Sequence, residues 1–256
     1  MKIFNSFIII IIGVFFSFIV FPKSIQENFS ETIKLPFSSY IINLDETEEG
    51  KKRLPIIQGI FPKSKRFPAT YGKNFDFKPY YDSVLTKTWD HGKWKTGKSN
   101  MIEMSDGEKG IIMSHYNLWT KIAKEKEPHI ILEDDASGVN SNTQIVLNEI
   151  LETLPEDYDI YLLGFIDLEP KNITNLHAKV TEFVLLHSYI ITPKGAQKLL
   201  DQLPINMPVD TWLSSISDKI NIYRHNFGNM GKKNKFYGRL IIQKRNEKQI
   251  VNTNII

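Results

Sequence analysis

The chain has 256 residues, 41% hydrophobic and 24% charged, a globular composition with enough apolar mass for one larger domain or two small ones. A net charge of +3 is too mild to mark a nucleic-acid surface, so no nucleic-acid partner is expected. The absence of cysteine excludes disulfides, thiolate nucleophiles and zinc–thiolate sites.

Residues 3–21 read IFNSFIIIIIGVFFSFIVF, uncharged and bracketed by Lys2 and Lys23. A run near the roughly 20 residues that cross a bilayer predicts a single-pass membrane anchor over 1–22. The following FPKSIQEN lacks the small-x-small pattern of a removed signal peptide. Lysines on both sides leave its orientation open. Residues 23–37 are polar and read as a stem. The folded domain is expected over 38–228, and the lysine- and asparagine-rich stretch 229–256 as a basic tail.

SSYIINLDE (38–46) predicts a strand that ends in Asn43 and Asp45. Residues 72–105, rich in Lys, Gly, Asn and Tyr, read as irregular loop. Over 105–126 a helix is expected: Ser105 and Glu108 have capping-box spacing, and Ile111, His115, Leu118, Trp119 and Ile122 share one face. HIIL (129–132) is a buried-strand run, TQIVLNEILETL (143–154) an amphipathic helix, and YDIYLLG (158–164) and FVLLHSYIIT (183–192) two further strands. Pro193 suits the first turn of a helix over 193–203, and a short helix over 208–218 follows, again started by proline. Strands alternating with helices predict an α/β domain with a mostly parallel sheet, which binds ligands at the carboxyl ends of its strands.

HIILEDDAS places Glu133, Asp134 and Asp135 at such an end. Two readings compete: a site for a hard divalent cation, Mg²⁺ or Mn²⁺, and a solvated turn. If the segment stays extended, Glu133 and Asp135 converge and Asp134 points away. His187 and His115 lie in apolar settings, where a core histidine is the plainer reading. Asp210, in MPVDTWL, is either a carboxylate at a helix N-terminus or a general base. No P-loop, dinucleotide fingerprint or nucleophile elbow is present.

Six segments in order, IINLDETEEGKKR (41–53), RFPATYGK (66–73), GEKGIIMSHYNLWTKI (107–122), IILEDDA (130–136), HSYIITPKGAQKLL (187–200) and PVDTWL (208–213), resemble glycosyltransferase family 25. That family includes bacterial lipooligosaccharide and collagen galactosyltransferases. The resemblance implies a GT-A-like fold and an inverting, metal-dependent transfer of galactose or glucose from a UDP-sugar to a glycan or protein acceptor. It also implies Glu133, Asp135 and His187 near Mn²⁺ or Mg²⁺, and Asn43, Asp45, Asp134, Ser114 and His115 near the donor. Asp210 is then the expected base and Glu108 the runner-up. Here the family's basic run after Asn-Leu-Asp is delayed to Lys51, Lys52 and Arg53, and Thr211 replaces the usual acid after Asp210. The rival expectations are a catalytically silent family member with a glycan-binding or scaffolding role, and a metal-dependent phosphoesterase.

Overall fold

The inner strands are largely apolar because both of their faces are covered. The computed structural model describes residues 32–139, 142–168, 175–226 and 240–241. In chain order these hold β1 (Ser38–Asn43), α1 (Glu48–Ile60), β2 (Lys65–Pro68), β3 (Thr88–Asp90), α2 (His91–Thr96), β4 (Met101–Glu103), α3 (Asp106–Ile122), β5 (His129–Glu133), α4 (Thr143–Glu152), β6 (Ile160–Asp167), β7 (His177–Lys179), β8 (Phe183–Ile191), α5 (Pro193–Leu200), α6 (Val209–Ser215) and β9 (Ile222–His225).

Seven strands form one sheet in the order β2-β1-β5-β8-β6-β9-β7. β2, β1 and β5 are mutually parallel, as are β6 and β9, whereas β8 runs antiparallel to both β5 and β6, and β7 antiparallel to β9. The sheet is mostly parallel in strand direction, with β8 inserted against the grain at its centre.

Alternating side chains feed two cores. Ile131, Tyr189 and Leu162 meet α3, α5 and α6, where Trp119 stacks on Trp212. Ile130, Leu132, Ile190 and Leu163 meet α1 and α4. Helix starts follow their capping chemistry. The Thr192 hydroxyl accepts from Gly195 N with Pro193 in the first turn, and Ser105 with Glu108 completes the expected capping box of α3.

The 72–105 stretch is more ordered than its composition predicts. β3 and β4 pair into a separate ribbon around α2. Asp90 organises it, accepting from Lys93 N, Asn100 N and the Ser99 hydroxyl, and Gly97, at φ +73°, ends the helix.

Among the described residues no helix is long and apolar enough to cross a membrane. The expected anchor, residues 3–21, lies outside the described residues, as does most of the expected tail. Leu240 and Ile241 are described: both N–H groups donate to Leu163 O, at 2.8 and 3.0 Å.

Candidate active site

Because β1 and β5 are parallel and in register, with Ile42 opposite Glu133, their carboxyl ends open on one place. A cleft of about 630 Å³ lies there. Glu133, Asp134 and Asp135 line it, with Gly50 and Arg53 of α1, the 69–73 loop and the first turns of α3. Ser114 fastens two of these walls together. Its hydroxyl donates to Gly110 O at 2.7 Å and accepts from Thr70 N at 2.8 Å.

The acidic triplet does not continue the strand. β5 ends at Glu133, and Ala136 N and Ser137 N bond back to Glu133 O and Asp135 O. This turn removes the alternation that was expected to bring Glu133 and Asp135 together. Asp134 instead accepts from Arg53 Nη1 at 3.2 Å and from Asn43 Nδ2 at 2.8 Å. Burial works against the Arg53 charge, but Asp134 and Asp135 outweigh it and raise its pKa. Arg53, from the delayed basic cluster, is the positive charge that answers the triplet.

Asn43 is fully buried. It links Asp134 to Gly50 O and accepts from Arg66, which also pairs with Asp45. Neither Asn43 nor Asp45 lines the cleft. Both shape it from behind.

Among the described residues no group of three or more His, Asp or Glu side chains is placed to hold a metal ion. The turn splays the triplet, Asp134 is engaged by Arg53 and Asn43, and His187 is elsewhere. Its Nδ1 lies 2.7 Å from Leu185 O and its Nε2 2.8 Å from Ile241 O. The expected set of Glu133, Asp135 and His187 is therefore not assembled as a three-ligand site among the described residues.

His115 does face the cleft. Its Nδ1 lies 2.8 Å from the Tyr189 hydroxyl, which also accepts from Trp119 Nε1 at 2.8 Å, and its Nε2 lies 3.5 Å from Glu133 Oε1. Burial lowers the His115 pKa from 6.5 to about 4, partly opposed by the Asp210 charge. At neutral pH the imidazole beside Glu133 is thus neutral.

A pH dependence follows. Between pH 6.5 and about 4 the unfolded state binds the His115 proton and the folded state does not. Stability from this group is complete above 6.5 and falls as pH drops toward 4. Burial lowers His129, His177 and His225 in the same sense. Urea unfolding at pH 7 and pH 5 should show the loss, and His115→Gln should make it shallower.

A smaller cavity of about 150 Å³ adjoins the cleft, and Glu133 and Ile111 line both. Glu108, Leu185 and Asp210 also line it. Glu108 Oε2 accepts from Ser105 N and the Ser105 hydroxyl, both at 2.7 Å. Asp210 accepts from Leu185 N at 2.7 Å and Thr211 N at 2.8 Å. Leu185 sits at φ +54°, a left-handed conformation that costs a branched residue about 1–3 kcal/mol. Asp210 holds its N–H and His187 its carbonyl, so both residues stabilise one kink in β8.

Residues 37–178, more than half of the chain, match the model of glycosyltransferase family 25, described as an LPS biosynthesis protein family. The chain belongs to glycosyltransferase family 25. Within this family-25 protein the cleft and triplet lie inside the matched region, while His187 and Asp210 lie beyond it. It is 28% identical over 221 residues to procollagen galactosyltransferase 1-B of Xenopus laevis, covering 79% of this chain and 34% of the relative. A Drosophila melanogaster glycosyltransferase 25 family member is 28% identical over 197 residues, 70% of this chain and 30% of the relative. A Bos taurus relative, named a probable inactive glycosyltransferase 25 family member 3, is 24% identical over 127 residues, 45% and 21% of the two chains. The family-25 chain spans about a third of the length of the first two of these curated relatives.

Proposed function

We propose that this family-25 protein is an inverting glycosyltransferase of GT-A-like fold. It moves galactose or glucose from a UDP-sugar to a hydroxyl of a glycan or protein. The observation that carries the reading is the cleft at the ends of β1 and β5, inside the matched region, with Arg53 and Lys73 in its lining. A volume of about 630 Å³ suits a ligand of nucleotide-sugar size. In this reading the two cations would stabilise the charge that develops on the departing diphosphate. The adjoining cavity offers the acceptor side, and carboxylates on its wall supply candidates for the base.

In a single displacement the acceptor oxygen bonds to the anomeric carbon as the bond from that carbon to the diphosphate breaks. UDP leaves with the electron pair, and a carboxylate takes the acceptor proton. The 3–21 segment would tether the domain to a membrane. Retention of the full chain in the membrane pellet after alkaline extraction checks this, and release would remove it.

The test is UDP release by the full chain from a panel of UDP-sugars, with Mn²⁺, with Mg²⁺ and with chelator. Turnover of UDP-galactose or UDP-glucose is expected. No UDP binding and no turnover in any condition would sink the reading. The rival, a silent binding protein, is favoured by the Bos taurus relative's name, and it predicts UDP or glycan binding with no turnover. Arg53→Ala should weaken UDP binding by roughly tenfold or more, the loss of one charge-assisted contact, measured by calorimetry.

A further inference from the structure

A polar chain inside the core ends on one of the carboxylates, and the transfer reading by itself does not explain it. Trp119, His115 and Tyr189 are buried to within 1% of their surface. Trp119 Nε1 donates to the Tyr189 oxygen, which lies 2.8 Å from His115 Nδ1. With its oxygen already accepting, the phenol's single proton is placed to go to Nδ1. The imidazole proton then sits on Nε2, the nitrogen that faces Glu133 Oε1. The opposite tautomer would turn a bare nitrogen lone pair toward a carboxylate.

Glu133 is also the carboxylate common to the linings of cleft and cavity, so it borders both halves of the reaction. Glu108 and Asp210 border the cavity alone, and their oxygens carry N–H and hydroxyl donors from Ser105, Leu185 and Thr211. Those bonds hold a helix cap and the β8 kink. Glu133 Oε1 lies 3.5 Å from Nε2 of a ring whose orientation is fixed by the core behind it.

We propose that Glu133 is the general base of the transfer, and that His115, locked by Tyr189 and Trp119, is the positioning residue that aims it. The assignment rests on the glycosyltransferase reading above. The acceptor O–H bond breaks as the new bond from oxygen to the anomeric carbon forms. Its proton goes to a Glu133 oxygen, while the bond from that carbon to the diphosphate breaks with its electron pair on UDP. Water can take the acceptor's place, so donor hydrolysis reports the same base.

The experiment measures UDP-sugar hydrolysis and the binding of UDP alone by the full chain. Glu133→Gln should lower kcat by on the order of 10²–10⁴-fold with UDP affinity and melting temperature unchanged. His115→Ala should lower kcat by roughly tenfold with KM unchanged, and His115→Gln, which restores an N–H, should recover most of it. Tyr189→Phe, which frees the tautomer, should act on kcat in the same direction as His115→Ala.

Glu133→Gln that keeps turnover, or that loses UDP binding along with it, overturns the base. Turnover surviving Glu133→Gln but lost in Asp210→Asn returns the role to Asp210. A folded His115→Gln no better than His115→Ala overturns the positioning role. Wild-type protein that neither binds UDP nor turns over any donor overturns the functional reading, and this assignment with it; normal wild-type turnover confines any failure to the assignment.

Discussion

Gly72→Ala is expected to cost about 3 kcal/mol of stability and to weaken UDP binding at least tenfold. A Cβ at Gly72 would meet Asp106 O at 1.8 Å and its carbonyl carbon at 2.6 Å. Those are backbone atoms of the first turn of α3, which its capping box holds in place. No flexible tip can give way, so the 69–73 loop must swing from the helix and lose the bond from Thr70 N to Ser114. Both parted walls belong to the cleft, so the fold and the ligand suffer together. Gly59→Ala is the control: nothing lies within 4 Å of its Cβ, and alanine inside α1 should add about 0.5–1 kcal/mol. Chemical denaturation and UDP titration of the two variants check the contrast. Equal stability of Gly72→Ala and wild type would overturn the close approach.

Asp159→Ala is expected to cost a similar amount of stability, about 2–4 kcal/mol, and to leave UDP affinity alone. Its carboxylate is 1% exposed and accepts from Lys198 Nζ at 2.5 Å and from Asn221 N at 2.9 Å. Its carbonyl accepts from Thr192 N. One residue thereby joins the starts of β6, β9 and α5. Lys198 is 32% exposed and can turn to water when the carboxylate goes. The Asn221 N–H loses its side-chain acceptor and carries much of the cost. A fall in melting temperature of roughly 5–15 °C is the expected readout. Asp159 lies before β6, at the end of the sheet opposite the cleft, so a loss of UDP affinity in the folded variant would contradict this arrangement.

The sequence announces what local chemistry decides. Ser105 and Glu108 read as a capping box and form one; Pro193 opens α5 where its ring fits. Alternation of strands and helices predicts the α/β class, but no local signal tells β8 to enter antiparallel between β5 and β6, because that is settled by which neighbours bury FVLLHSYII. α1 escapes a reading by periodicity since Pro55 sits inside it and much of its surface is polar. The triplet marks the strand end at which the cleft opens, but the expected division of labour assumes an extended backbone and the chain turns at once. His187 reads as a core histidine from its apolar setting and as a metal neighbour only from the family resemblance; in space it is buried and supports Leu185. The network through Tyr189 joins residues 70 and more positions apart, with no spacing that could reveal it.

The β8 kink has a consequence for when this protein can work. His187 supports Leu185 with one nitrogen and reaches Ile241 O with the other, and Leu185 walls the smaller cavity. Synthesis proceeds from the N-terminus, and domains fold as their parts emerge. The cleft is lined by residues 42 to 135, whereas His187, which supports the Leu185 wall of the cavity beside it, gains its second contact only once residue 241 is made. A nascent chain paused before that point has every residue that lines the cleft, but the cavity's Leu185 wall lacks its last brace. On the proposed transferase reading, competence for transfer would arrive late in translation, after the residues that bind the nucleotide.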